Sequence, residues 1–221
     1  SLHRQHASYI MLVAGYRCED FKSALKYEAD ALKYRRRLET TLQYLAEIYH
    51  EKRDSDRYEK LLTQGVDSFT RSRYFFTRLV DFYCTRNDFN SALDVTSKVL
   101  AADTTDFSTK VIKQTLLLNL ARYDECVALG DKLIAQNDSV SDVYYNNALA
   151  YYNQTLGLEK GPANKRKERE KKLQCLYRKC RPYMEKFRAL QPNERAKWRP
   201  VLYNVYLNLN MGKEFSEING I

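Results

Sequence analysis

The sequence predicts an all-α fold, a solenoid of antiparallel helix pairs. Three observations point there. Glycine is 7 and proline 4 of 221 residues, roughly half or less of average usage, and too few for turn-rich β architectures. Matched residues recur every 34 positions: Tyr49, Tyr83, Leu117 and Tyr151. Each sits among apolar residues at helical spacing, as in Leu42, Leu45, Ile48 and Tyr49, or Leu79, Val80, Phe82 and Tyr83. These positions mark the first helix of each repeating unit.

A second series marks the second helix. It reads aromatic, two residues, then small or apolar: Phe21-x-x-Ala24-Leu25, Tyr58-x-x-Leu61-Leu62, Phe89-x-x-Ala92-Leu93, Tyr123-x-x-Cys126-Val127 and Tyr177-x-x-Cys180. Phe89 to Tyr123 is 34 residues and Phe21 to Phe89 is twice that. Tyr58 falls three late, which predicts an insertion in the loop Arg53-Asp54-Ser55-Asp56. Tyr123 to Tyr177 is twenty longer than the period, and the excess coincides with a basic stretch. Polar turns at Glu19-Asp20, Arg86-Asn87-Asp88 and Ala121-Arg122 join the two helices. Breaks at Asp103–Asp106, Asn137–Ser139 and Gln191–Asn193 separate the units, and Asp or Ser there can cap the next helix. Small residues at Ala24, Ala92, Cys126 and Cys180 let the paired helices approach. A hairpin of this length cannot bury its apolar face alone, so neighbours must stack.

These residues resemble the tetratricopeptide repeat. The aromatic of the first helix, the aromatic-x-x-Ala of the second and the closing Pro are present in degenerate form, best over 73–106, 107–140 and 141–156. Only Pro192 fills the closing position. Lys113 and Gln114 replace its expected small or apolar pair in the fourth unit. The C-terminal half is similar to Bacteroides-type proteins of this family. Tyr144-Tyr145-Asn146-Asn147-Ala148-Leu149-Ala150-Tyr151-Tyr152-Asn153-Gln154 and Leu202–Met211 carry that likeness, with a charged inserted helix between them. The resemblance implies a periplasmic or cell-envelope location, with the cytoplasm as the alternative. The fold expected is one right-handed superhelical domain over 1–221, of about five to six helix pairs. It includes a basic helical extension over 157–177 and a capping hairpin over 195–221, with Trp198 packed on the preceding helix.

The resemblance further implies that first helices line a groove. The register places Tyr9 and Tyr16, then Gln43, Tyr44 and Glu47, on that face. Tyr74, Arg78 and Asp81 follow, then Val111, Thr115 and Asn119. Tyr145, Asn146, Tyr152 and Asn153, and finally Arg199, Tyr203 and Tyr206, complete it. The binding candidates are Tyr9, Tyr16, Tyr44, Tyr74, Arg78, Tyr145, Asn146, Tyr152, Asn153 and Tyr203. Tyrosine gives large contact area with a polar tip, and asparagine can bond a peptide backbone, so a protein or peptide is the expected partner. The family's carboxylate clamp finds only Arg78 in place.

Net charge is +9, yet residues 160–200 alone hold 15 Lys/Arg against 4 Asp/Glu. The basic segment 160–181 offers the alternative functions: an electrostatic patch for an acidic partner, an anionic surface or nucleic acid. Gly161-Pro162 marks its expected start, and Glu168 can pair with Lys172 four residues on. Self-assembly as an architectural module is the other alternative. No phosphate loop, nucleophile elbow or HExxH occurs, and histidine is limited to His3, His6 and His50. Neither enzyme activity, cofactor nor metal is expected. Five cysteines without a CxxC give no zinc or disulfide framework.

Overall fold

The computed structural model of the protein describes residues 1–158 and 165–220. The described residues are helical and form two compact units, 1–105 and 106–221. In the first unit α1 (Leu2–Arg17) is followed by α2 (Phe21–Leu25) and α3 (Glu28–Ala31), then a 3₁₀ turn, Arg35–Arg37. Next come the pair α4 (Leu38–Glu51) and α5 (Ser55–Ser68), and the pair α6 (Arg73–Cys84) and α7 (Phe89–Ala102). The second unit holds α8 (Phe107–Asn119) with α9 (Tyr123–Gln136) and α10 (Ser141–Leu158) with α11 (Arg166–Leu190). It ends with α12 (Arg195–Asn208) and α13 (Gly212–Asn219).

The 34-residue period is written into the backbone. Glu19, Arg53, Asn87 and Ala121 each adopt φ between 55° and 58°, the left-handed conformation that ends a helix. Each turn then repeats the same two bonds. Asp20, Asp54, Asp88 and Arg122 donate their amides to the carbonyls of Gly15, Tyr49, Tyr83 and Leu117. The left-handed residues donate to Tyr16, His50, Cys84 and Leu118. Asn210, at φ 54°, closes the last pair in the same way. None of these left-handed residues is glycine, so each turn holds some strain.

The second helices begin at Phe21, Ser55, Phe89 and Tyr123, all in register. The insertion expected at Arg53–Asp56 is therefore absent. Ser55 occupies the aromatic's position, and Tyr58 simply lies one turn further along α5. Asp20, Asp54 and Asp88 cap their helices by accepting from the amides of Ser23, Arg57 and Ser91 at 3.1–3.2 Å.

Within the first unit, successive first helices bury equivalent residues. Thr41, Leu45 and Ile48 of α4 and Phe75, Leu79 and Phe82 of α6 are all closed off from solvent. Burying such an aliphatic or aromatic side chain is worth roughly 1.5–3 kcal/mol. Gly65 of α5 makes room for Phe75, whose ring atoms lie 2.2 Å from where a Cβ would be. In the second unit Tyr177, Cys180, Met184 and Phe187 of α11 pack against Trp198, Val201, Leu202 and Val205 of α12. Trp198 is buried and donates its indole N–H to the Pro192 carbonyl at 3.1 Å. The expected helix start at Gly161-Pro162 lies outside the described residues. From Arg166 the basic segment is helical through Cys180 and on to Leu190.

Candidate functional site

In the first unit three first helices present side chains to one another. The Tyr16 ring of α1 lies 5.0 Å from the Tyr44 ring of α4. Further along, the Tyr74 hydroxyl of α6 donates its proton to the Glu47 carboxylate of α4, with the Gln43 carbonyl 3.2 Å from the same oxygen. Arg78, one turn beyond Tyr74, pairs with Glu47 at 3.2 Å. Its guanidinium carbon sits 3.7 Å from the centre of the Tyr74 ring. Tyr74, Glu47 and Arg78 thus form a closed triangle between α4 and α6. Burial, then the Glu47 carboxylate, pushes the Tyr74 phenol well above its usual range, so it stays a neutral donor. Arg78 remains 40% exposed and has further N–H groups to offer. Tyr9 is half-buried against Tyr34, with the rings 6.2 Å apart. Asp81 is exposed.

Beside this face a cleft of about 290 Å³ opens at the C-terminal ends of α4 and α6. Tyr58 and Phe82 form its aromatic wall, 5.8 Å apart, with Arg78, Asp81 and Arg86 at its edges. The Arg86 guanidinium carbon sits 3.6 Å from the centre of the Phe82 ring, and the group donates to Ser55.

In the second unit the polar pair at Lys113-Gln114 finds a specific use. Gln114 is fully buried on α8 and donates to Asn147 Oδ1 at 2.8 Å and to the Val143 carbonyl at 3.2 Å. Asn147 passes the chain on to Asp131 of α9 at 3.0 Å. Asn146 belongs to the same network. It is 5% exposed and donates to Gln114 Oε1 and Thr115 Oγ1. Its amide therefore faces α8 and not solvent. A buried amide left unpaired would cost about 1–3 kcal/mol, so full pairing is what makes this polar layer tolerable.

The remaining candidates divide by direction. Tyr145 turns toward α11, its ring 4.8 Å from Phe187. Tyr152 reaches α12, where its hydroxyl accepts from Asn204 at 2.8 Å. Asn153 is half-buried. Tyr203 is 40% exposed, with its ring 4.9 Å from Phe215. Arg199 donates to the Ile218 carbonyl and to Asn219. Tyr206, which the register set on the same face, is instead buried and donates to Glu185 at 3.0 Å. The sequence did not single out Glu47 as the hub of the first unit, nor Asn204. Both carry a signal only through partners far away in the chain.

Among the described residues no group of His, Cys, Asp and Glu is arranged to hold a metal ion. No helix of the described residues is long and apolar enough to cross a membrane.

No family model matches the sequence, and no curated protein matches it by sequence. Solved structures do match by shape. The C-terminal part of a TPR repeat-containing protein from Cytophaga hutchinsonii is 15% identical, with a TM-score of 0.64, over 96% of this chain and 79% of that one. MamA is 15% identical, with a TM-score of 0.53, over 88% of this chain and 95% of that one. YrrB, described as a TPR protein with an unusual peptide-binding site, is 15% identical, with a TM-score of 0.53, over 82% and 83%. The turns recur every 34 residues, the helices pair, and the structural neighbours are repeat proteins: this chain has the tetratricopeptide-repeat fold.

Proposed function

We propose that the protein is a non-catalytic scaffold that binds a protein or peptide along the faces of its first helices. The carrying observation is the side-chain series Tyr16, Tyr44, Glu47, Tyr74 and Arg78 across α1, α4 and α6. Hydrogen bonds, an ion pair and ring contacts hold these groups before any ligand arrives. A partner then meets aromatic area and a guanidinium whose ordering cost is already met within the fold. Within the first unit Tyr9 adds to this series; within the second unit Tyr145, Tyr152, Asn153 and Tyr203 offer the same chemistry by themselves, with Asn146 holding α10 to α8. A likeness to YrrB, whose description names a peptide-binding site, is consistent with this use.

The test is a peptide array probed with the whole chain, repeated with Tyr44→Ala, Arg78→Ala, Tyr145→Ala and Tyr152→Ala. Peptides that bind the parent should lose signal with Tyr44→Ala or Arg78→Ala. Binding that survives all four changes rejects the assignment.

A further inference from the structure

Helix α11 is a second helix, outside the face just described, and its charges are sorted. Glu168 pairs with Lys172 at 3.2 Å and Glu170 with Arg166 at 2.8 Å. Those pairs use up the acids of its first turns. Lys167, Lys171, Gln174, Arg178 and Arg181 recur at spacings of three and four, so they share one face of the helix. Among the described residues, Lys167, Lys171 and Arg178 have no carboxylate partner.

The line ends in a cleft of about 440 Å³ between α11 and the turn joining α12 to α13. Gln174, Arg178, Arg181, Asn208, Asn210 and Met211 line it, and none of the lining residues is acidic. Arg181 is poorly satisfied there. Among the described residues its Nη1 donates only to the thioether of Met211, at 3.3 Å. Its buried Nε has no hydrogen-bond partner among the described residues and makes only a long ion pair with Glu185, at 3.9 Å. Arg178 spends one N–H on Gln174 at 3.2 Å. Two guanidinium groups with donors to spare and a weak sulfur acceptor make a receptor for oxyanions.

We propose that this stripe and cleft bind an acidic polypeptide segment, with a carboxylate seated between Arg178 and Arg181. From Lys167 to Arg181 the helix rises about 21 Å. An extended chain covers that in about six to seven residues, which sets the length of the acidic segment. The amides of Gln174, Asn208 and Asn210 suit a peptide backbone beside the carboxylates. A nucleic acid strand would call for exposed aromatic platforms. Tyr177 and Phe187 of α11 are buried and the Tyr183 hydroxyl is bound to Asp131. A bilayer would call for apolar residues along the stripe, and the stripe has none.

The probe is a fluorescein-labelled seven-residue oligoglutamate, read by anisotropy against the whole chain. Affinity should fall steeply between about 50 and about 200 mM salt. Arg178→Ala with Arg181→Ala should weaken it at least about tenfold, and Lys167→Glu with Lys171→Glu should do the same. Lys167, Lys171 and Arg178 are exposed and Arg181 is half-buried at the edge of the cleft, so circular dichroism of both variants should match the parent. Tyr44→Ala should leave the binding intact, which separates this site from the first-helix face. No binding at low salt, equal binding by the variants, or preference for oligothymidylate or phosphatidylserine vesicles overturns the proposal.

Discussion

A Cβ built on Gly130 would fall 2.1 Å from Oδ1 of Asn147, so α9 and α10 meet at this spacing only because residue 130 is glycine. The same Cβ would sit 2.4 Å from Nε2 of Gln114. Neither amide can step aside, because each is already bonded within the buried network.

Gly130→Ala is therefore expected to destabilise the protein by about 1–3 kcal/mol through overpacking. That loss outweighs alanine's better helix propensity. Among the described residues nothing lies within 4 Å of the would-be Cβ of Gly157, in α10. Gly157→Ala should stabilise by about 0.4–1 kcal/mol. Urea midpoints of the two variants should move in opposite directions, and a shared direction would refute the packing account.

Removing the amide acceptor should be costly in a different way. Asn147→Leu removes one of the two acceptors of the buried Gln114 amide and leaves that N–H unpaired, a loss of about 1–3 kcal/mol. A second change, Gln114→Leu, should recover part of that loss in a double-mutant cycle.

The helix caps predict an acid-dependent term. Hydrogen bonds from Ser23 hold the Asp20 carboxyl below its usual value, and those from Ser91 do the same for Asp88. A depressed carboxyl contributes stability above the ordinary aspartate range, about pH 4, that is lost as the pH falls through the folded-state value. Asp20→Ala with Asp88→Ala should lower the unfolding midpoint at pH 7. The gap from the parent should close toward about pH 2.

At the alkaline end the sign reverses. Burial, then the hydrogen bond to Glu28, pushes the Tyr49 phenol up to about 12. Burial and Glu59 push Tyr83 to about 12 as well. Their contribution is complete below about pH 10 and lost as the pH rises through the folded-state values. Thermal unfolding should show a decline over that window, reduced in Tyr49→Phe with Tyr83→Phe.

Thiol reactivity should follow depth. Burial alone pushes Cys126 and Cys180 up to about 12, while Cys18 and Cys175 are exposed. In the native protein at neutral pH, Ellman's reagent should label Cys18 and Cys175 quickly and spare Cys126 and Cys180 until unfolding. Rapid modification of Cys126 would contradict its placement.

Much of the fold was legible because the period rests on large residues. Tyr49, Tyr83 and Leu117 mark the helix turn whose carbonyl receives the closing amide, so a 34-residue spacing of side chains reports a 34-residue spacing of backbone bonds. The turns themselves were harder to see. Their left-handed positions hold Glu19, Arg53, Asn87 and Ala121, none of them the glycine that announces such a bend. Ser55 misled for a related reason, since a polar residue in an aromatic's place looks like extra loop. At the site, Tyr44 and Arg78 could be placed by register alone. Asn146 could not, because the same register position is half-open in α4 and α6 and sealed in α10. What closes it is Gln114, thirty-two residues away, and a polar side chain does not announce its partner.

A chain of look-alike hairpins faces the hazard of stacking in the wrong order. Gly65 is hollowed to take the ring of Phe75, and Gly130 to take the amides of Gln114 and Asn147. The two notches fall at different heights on their helices. Gly65 admits Phe75 of the helix that follows it, whereas Gly130 admits Gln114 of the helix before it and Asn147 of the helix after it. The glycines thus act as keys that fix which hairpin follows which, and shuffling the repeats should produce a protein that pairs helices yet never settles.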